Sequence, residues 1–147
     1  MSNTINIVCP ECNRVNRISD DRLDDEPICG KCKQHLFNAG PLILHSDNFD
    51  RHIQRNEIPV LVDFWAPWCG PCKVMGPVFA QAAAELEPKI RLAKLNTEAE
   101  PQVAMRMKIS SIPTLILFES GKEVDRHSGV MTAAGINNWL QSQLAAN

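Results

Sequence analysis

The segment Trp68-Cys69-Gly70-Pro71-Cys72 places two thiols three positions apart, between two different apolar patterns, and so restricts the folds open to this chain. Before it, residues 60–65 are almost continuously apolar and rich in bulky or β-branched side chains, which is typical of a strand buried on both faces. After it, apolar side chains recur at helical spacing as far as Leu86. The pattern predicts a strand, a turn that carries both cysteines, and a helix.

This position gives the two thiols different chemistry. Cys69 comes at the predicted helix start, where unpaired backbone N–H groups and the positive end of the helix dipole favour a thiolate. A thiolate is the attacking species in thiol–disulfide exchange. Cys72 follows one turn later, where we expect a less accessible thiol within reach of the first sulfur. The alternative is a structural pair of buried or metal-bound cysteines.

The sequence resembles the thioredoxin family over about residues 42–145. The resemblance depends on the cysteine segment, on Asp63-Phe64-Trp65-Ala66-Pro67 before it, and on Ile112-Pro113-Thr114 after it. It implies an α/β thioredoxin fold, a mixed central sheet with helices on both faces. It also implies a thiol–disulfide oxidoreductase whose redox-active disulfide joins Cys69 and Cys72.

Asp63 is the most conspicuous polar residue in the predicted central strand. Burying a carboxylate is costly, so it must be neutral there or be balanced by a neighbour. The family resemblance implies that Asp63 lies behind Cys72 and assists its proton transfer, with Lys94 beside it. The alternatives are a hydrogen-bonded structural carboxylate and an exposed strand lysine.

The resemblance also implies a substrate-binding surface around the two thiols. Pro113 is expected to be cis and to face them, although most X–Pro bonds are trans. For Gly129 the alternative is an ordinary turn at a strand end. The residues implied to contact substrate are Trp68, Gly70, Pro71, Ile112, Pro113, Gly129 and Val130.

The other four cysteines all precede residue 33 and form two Cys-x-x-Cys pairs, Cys9 with Cys12 and Cys29 with Cys32. A two-residue gap lets both sulfurs of a pair turn toward one ion, and two such pairs complete a tetrahedron. We therefore expect one Zn²⁺, structural or regulatory, with two disulfides or a second redox pair as the alternatives. A zinc-ribbon-like module before such a domain resembles the bacterial thioredoxin 2 type.

The division of the chain follows from size. The first 40 residues are too few to bury a stable core unaided, so metal binding and folding of that part are expected to be one event. Turn-forming residues at positions 38–41 mark the boundary. We predict a zinc-binding module at residues 1–38 and a thioredoxin domain at residues 39–147.

Charge and hydropathy exclude several functions. The net charge is −2, and the first 40 residues carry five Lys or Arg against six Asp or Glu, so no basic surface is predicted for nucleic acid. Five acidic residues between positions 20 and 26 indicate a solvated acidic loop. Neither a signal peptide nor a membrane span is predicted, and the cysteine usage favours a cytoplasmic protein with metal and catalytic thiols.

Past residue 41, the apolar patterns predict the order β-α-β-α-β-α-β-β-α. Ser46 and Thr97 are the expected N-caps of the first and third helices, and Pro77 is expected to kink the second. Ser120-Gly121 predicts the turn of a hairpin.

The sequence thus predicts a monomeric cytoplasmic protein-disulfide reductase. Its implied partners are disulfide-containing protein substrates and a thioredoxin reductase as electron donor, with no organic cofactor. Gly70-Pro71 between the cysteines resembles the reducing members of the family. The alternatives are an oxidase or isomerase of the same chemistry, and a binding or regulatory subunit in which the dithiol is incidental.

Overall fold

The N-terminal part contains a small antiparallel hairpin. In the computed structural model, which describes residues 3–145, strand β1 (Thr4–Val8) pairs with β2 (Val15–Ser19). A one-turn 3-10 helix, Asp20–Arg22, follows. The acidic residues at positions 20–26 are exposed, as expected of a solvated loop. The two strands were not predicted, because neither carries a long enough alternation of apolar and polar residues.

A five-stranded mixed sheet forms the rest of the chain, in the order β3-β5-β4-β6-β7. The first three strands in this order are parallel, and β6 and β7 are antiparallel to their neighbours. The strands are β3 (Leu42–Leu44), β4 (Val60–Trp65), β5 (Arg91–Asn96), β6 (Thr114–Glu119) and β7 (Lys122–Ser128). The predicted mixed sheet is confirmed.

Helices cover both faces of the sheet. They are α1 (Phe49–Arg55), α2 (Gly70–Leu86), α3 (Pro101–Arg106) and α4 (Ala133–Ala145). One core cluster joins the sheet to α1 and α3 through Phe49 and Val103, and the other joins it to α2 and α4 through Phe79 and Leu140. The predicted element order is therefore correct past residue 41. No helix within residues 3–145 is both long and apolar enough to cross a membrane.

Both predicted helix caps are wrong. The N-cap of α1 is Asn48, whose side-chain oxygen accepts the N–H of His45 at 2.6 Å. The N-cap of α3 is Glu100, because Pro101 starts that helix three residues later than expected. Thr97 instead donates its hydroxyl to the carbonyl of Trp65 at 3.1 Å.

The N-terminal module packs against the rest of the chain through a small apolar cluster. Ile7, Cys9, Cys29 and Leu36 are fully buried there, and they pack with Ile58, which precedes β4 and is 7% exposed. Because Ile58 comes from the thioredoxin-like part, the module's small core is closed by a residue outside the module.

A buried ion pair also joins the two parts. The Arg91 guanidinium lies 3.3 Å from the Glu87 carboxylate, and their side chains are only 1% and 3% exposed. Arg91 Nη2 donates to the carbonyl of Leu36 at 2.7 Å and to that of Val8 at 3.4 Å, and the guanidinium lies over the ring of Phe37. Burial raises the pKa of Glu87, and the nearby Arg91 opposes that rise.

Further polar contacts tie the module to α1 and to the residues after it. His52 is fully buried and its Nε2 lies 2.8 Å from Oδ1 of Asn13, while burial lowers its pKa to about 3 and keeps it neutral. The amide N–H of Val8 donates to Asn56 at 2.8 Å. Asn56, Ile58 and Arg91 lie where β4 and β5 begin, whereas the cysteine pair follows the end of β4.

Candidate functional site

The cysteine pair lies at the start of α2, as the sequence predicts. Cys69 is the N-cap of the helix, and its Sγ accepts the backbone N–H of Cys72 at 3.2 Å. The two residues are joined by a disulfide, with their Cα atoms 5.2 Å apart. Pro71 occupies the first turn, where its missing N–H costs no helical hydrogen bond. A thiolate at Cys69 would therefore receive an N–H donor from the helix.

Around the disulfide, side-chain exposure is uneven. Trp68 is 68% exposed, and Gly70 and Pro71 are also exposed, but Cys69 and Cys72 are each only 4% exposed. The expected difference in accessibility between the two cysteines is therefore not seen in the disulfide state. Their positions differ instead, since Cys69 precedes the helix and Cys72 lies within it.

Asp63 lies under α2. Side chains alternate along β4, and Leu61, two positions earlier, packs with Met75 and Phe79 of α2, so Asp63 shares that face. It is fully buried, and neither carboxylate oxygen has a hydrogen-bond partner among the described residues. Burial raises its pKa from 3.8 to about 6, although Lys94 acts in the opposite direction. The carboxyl group is thus set to exchange a proton close to neutral pH.

Lys94 is the cation that faces this carboxyl group. It pairs with Asp63 across β4 and β5, and its side chain is half-buried. Its Nζ lies 4.7 Å from the centre of the Trp65 ring and faces Gly76, one turn after Cys72. The contact with Trp65 holds the ammonium group near α2, a role for Trp65 that the sequence analysis did not predict.

The loop before β6 faces the disulfide. The Ile112–Pro113 peptide bond is cis, which confirms that expectation, and the carbonyl oxygen of Ile112 lies 3.8 Å from Cys69 Sγ. The N–H of Gly129 donates to the Pro113 carbonyl at 2.8 Å. Gly129 has a φ of +102°, a conformation that side chains rarely adopt, and Val130 after it is 44% exposed. Four of the residues predicted to contact substrate, Ile112, Pro113, Gly129 and Val130, thus lie in two adjacent loops, 111–113 and 128–130.

The sequence analysis missed two hydroxyl groups behind these loops. Thr114 Oγ1 donates to the Ser111 carbonyl at 2.6 Å and lies 3.0 Å from the Ser128 hydroxyl. Thr114 belongs to the segment that carries the family resemblance, but Ser128 follows no motif, and only the pairing of β6 with β7 brings the two together.

The four N-terminal cysteines form one cluster. The sulfur atoms of Cys9, Cys12, Cys29 and Cys32 all lie within 4.8 Å of one another. Two of their separations, Cys9 to Cys32 and Cys12 to Cys29, are 3.6 Å. Sulfur atoms bound to one tetrahedral zinc at about 2.3 Å lie roughly 3.8 Å apart, so the cluster fits that ion. His35, three positions after Cys32, is exposed and lies outside the cluster.

The two cysteine pairs have the same backbone geometry. In each, the N–H two residues after the first cysteine points at its sulfur at 3.4 Å, at Glu11 and at Lys31. In each, the residue after the second cysteine has a φ of 66°, at Asn13 and at Lys33. Backbone N–H groups aimed at sulfur stabilise thiolates, which are the form that binds metal. The repeated geometry therefore favours a metal site over a pair of disulfides.

Asn16 links the two cysteine pairs and is almost fully buried. Its amide oxygen accepts the N–H of Gly30 at 2.9 Å, and its amide nitrogen donates to the Arg14 carbonyl at 3.1 Å and lies 3.6 Å from Cys29 Sγ. Such a contact orients a metal ligand from behind. The sequence carries no signal for it, because Asn16 lies outside both Cys-x-x-Cys pairs.

Comparison with known proteins gives matches to both parts of the chain. The family profile described as thioredoxin matches residues 40–142, and one described as the N-terminal part of thioredoxin 2 matches residues 8–34. Thioredoxin C-3 of Corynebacterium nephridii is 42% identical over 138 residues, 94% of each chain. Thioredoxin 1 of Nostoc sp. is 43% identical over 96 residues, 65% of this chain and 90% of its own. Thioredoxin of Porphyra purpurea is 41% identical over 98 residues, 67% and 92% respectively.

Proposed function

Because this chain belongs to the thioredoxin family and is a thiol–disulfide oxidoreductase, we propose that it reduces disulfides in proteins with the dithiol of Cys69 and Cys72. The observation that carries the proposal is the position of Cys69 as the N-cap of α2, with its sulfur accepting a backbone N–H. That position favours a thiolate, which is the species that attacks a disulfide.

The reaction takes place in two exchanges. The Cys69 thiolate attacks one sulfur of the substrate disulfide, that S–S bond breaks, and the other substrate sulfur leaves as a thiolate that takes up a proton. The Cys72 thiol then loses its proton and attacks the sulfur of Cys69 in the mixed disulfide. The Cys69–Cys72 disulfide forms, and the second substrate thiol is released. Two electrons pass from protein to substrate, and a thioredoxin reductase restores the dithiol.

Asp63 is proposed as the acceptor of the Cys72 proton. Its carboxyl group is buried under α2 without a hydrogen-bond partner in the described part of the chain, and its pKa of about 6 makes the ionised form available at neutral pH. Lys94 limits the rise of that pKa, and Trp65 holds Lys94 in place. The pair is proposed to time the release of substrate, since Cys72 attacks only after it is deprotonated.

Substrate is proposed to bind over the two loops beside the disulfide. Trp68 and Val130 supply exposed apolar surface, and Gly70 and Gly129 leave room for a polypeptide to approach the sulfur. Pro71 and Ile112 are proposed to complete this surface, together with Pro113, which is buried in the structure. The carbonyl of Ile112, close to Cys69, is placed to accept a backbone N–H from an extended substrate chain.

The module at residues 1–38 is proposed to hold one Zn²⁺ through Cys9, Cys12, Cys29 and Cys32, with residues 39–147 as the catalytic domain. When bound, the ion would supply a tetrahedral cross-link between the two cysteine pairs. The cysteine cluster is buried at Cys9 and Cys29 and lies apart from the disulfide, so we assign it a structural or regulatory role. We further propose a monomer that acts in the cytoplasm, where both sets of thiols stay reduced.

The proposal is tested by catalytic reduction of insulin with dithiothreitol as electron donor. We expect the wild-type chain to accelerate the reaction with many turnovers per molecule, and the Cys69→Ser variant to be inactive. Slow stoichiometric reaction of the wild type would instead support a binding or regulatory protein. Net oxidation of a reduced protein by the disulfide form, with no reductase activity, would support the oxidase alternative.

A further inference from the structure

Two side-chain hydroxyls and a carbonyl next to the disulfide form a hydrogen-bonded chain that the proposed reaction does not use. Thr114 has one hydroxyl proton, which it donates to the carbonyl of Ser111 at 2.6 Å. The Ser128 hydroxyl, 3.0 Å away, must therefore donate to the Thr114 oxygen. The chain runs from Ser128 through Thr114 to Ser111.

This chain connects the two loops beside the active disulfide. Thr114 and Ser128 are directly opposite each other in the pairing of β6 with β7. One step further along, the N–H of Gly129 donates to the carbonyl of Pro113. The loop 111–113 is closed on itself by the Thr114 hydroxyl and is fixed to the loop 128–130 by the other two bonds. Two hydrogen bonds thus join the two loops, and a third closes one of them.

The hydroxyl of Thr114 is the central member of this arrangement. Thr114 is 2% exposed, whereas Ser111 and Ser128 are both exposed, so the chain passes from the surface through a buried hydroxyl and back to the surface. The loop that it closes carries the Ile112 carbonyl, 3.8 Å from Cys69 Sγ. A shift of this loop would move the carbonyl relative to the reacting sulfur.

We propose that Thr114, assisted by Ser128, is a positioning residue that selects protein disulfides over small disulfides. The proposal rests on the reductase function proposed above. A substrate disulfide inside a polypeptide must lie along both loops to reach Cys69, so it benefits from loops held in advance at the right separation. A small disulfide needs only the sulfur and gains little from the loops.

The experiment compares two substrates for each variant. The protein is reduced and then freed of reductant. The second-order rate constants for its reaction with insulin and with hydroxyethyl disulfide are measured by quenching and thiol labelling. The variants are Thr114→Val, which keeps the shape of the side chain but removes the hydroxyl, Thr114→Ser, which keeps the hydroxyl, and Ser128→Ala. Ser142→Ala is the matched control, because it removes an exposed hydroxyl bond on α4 far along the chain.

We expect Thr114→Val to lower the ratio of the insulin rate to the hydroxyethyl disulfide rate by about fivefold, the effect of one neutral hydrogen bond. Thr114→Ser should restore the wild-type ratio, and Ser142→Ala should leave both rates unchanged. In the Thr114→Val background, Ser128→Ala should have no further effect on the ratio, because the series of hydrogen bonds from Ser128 to Ser111 is already broken.

Other results would overturn the proposal. They are an unchanged ratio in Thr114→Val, an equal loss of both rates, or an additive effect of Ser128→Ala in that background. If Thr114→Val does not fold, Ser128→Ala alone decides, since its exposed side chain is not needed for the core: a lower ratio supports the proposal and an unchanged one refutes it. Failure of the wild-type chain to reduce either substrate would instead refute the proposed function.

Discussion

Replacing Arg91 by leucine tests how firmly the N-terminal module is held to the rest of the chain. In the wild type, the Arg91 guanidinium pairs with the buried Glu87 carboxylate at 3.3 Å and donates to the carbonyls of Leu36 and Val8. In Arg91→Leu, Glu87 is left as a buried charge without a cation, and two buried carbonyls lose their donor. Breaking a buried ion pair from one side costs about 3–5 kcal/mol.

That loss is large compared with the free energy of unfolding of a typical protein, about 5–15 kcal/mol. With a urea dependence of about 2 kcal/mol/M, a loss of about 4 kcal/mol moves the unfolding midpoint down by about 2 M. The assay is equilibrium unfolding in urea followed by tryptophan fluorescence, with the zinc-loaded full-length chain throughout. We also expect the variant to lose its metal to a chelator faster, since Val8 immediately precedes Cys9.

Two further variants separate the buried pair from charge in general. Arg106→Leu removes a guanidinium whose partner Asp50 is as exposed as Arg106 itself, about half in each case, and should cost under about 1 kcal/mol. Glu87→Leu combined with Arg91→Leu removes both charges and should recover most of the loss, leaving about 1–2 kcal/mol for the two unpaired carbonyls. If Arg91→Leu cost no more than Arg106→Leu, or if the double variant were no more stable than Arg91→Leu, the reasoning would be refuted.

Three other predictions concern the two proposed sites. Cys72→Ser should accumulate mixed disulfides with protein substrates through Cys69, as judged by non-reducing gels; equal trapping through Cys72 in Cys69→Ser would reverse the assignment of the attacking thiol. Asp63→Asn should slow exchange near neutral pH with the fold intact, and an unchanged pH–rate profile would make Asp63 structural only. The folded state raises the Asp63 pKa from 3.8 to about 6, so it binds the proton more tightly than the unfolded state, and wild-type stability falls as pH rises between these values. Above pH 7, Asp63→Asn should therefore be more stable than the wild type by up to about 3 kcal/mol. Urea unfolding at several pH values measures this difference. A chain starting at Gly40 should bind no zinc but still reduce insulin. The full-length chain, purified in reduced form with metal available, should contain one zinc per molecule by atomic absorption. A shortened chain that folds but is inactive, or a full-length chain without metal, would contradict the proposed roles of the two parts.

The fold and the redox centre were predictable because their signals are local. The apolar run before Cys69, the helical spacing after Cys72 and the two Cys-x-x-Cys pairs each lie within a short segment. The structure of such short segments follows from strand and helix periodicity, and their ability to bind a metal follows from the spacing of the ligands.

What could not be predicted depends on contacts between distant segments. Arg91 at the start of a buried strand gives no sign that it will bind carbonyls more than 50 residues earlier, and Ser128 gives no sign that it will face Thr114. The wrong helix caps have a different cause. Ser46 and Thr97 are good capping residues, but Asn48 is one as well, and Pro101 is favoured in the first turn of a helix, so each short segment offers more than one possible helix start.

The module and the disulfide lie at different ends of the central strand, and this arrangement affects how the protein can be attached to other materials. Ile58, just before β4, packs with the module, and Trp65 at the end of β4 packs with Cys69. The two ends of the strand, Val60 and Trp65, are roughly 17 Å apart along the strand direction. Lys31 and Lys33 of the second cysteine pair are exposed. A fluorophore or a solid support coupled to these amines would leave the disulfide open to the solution.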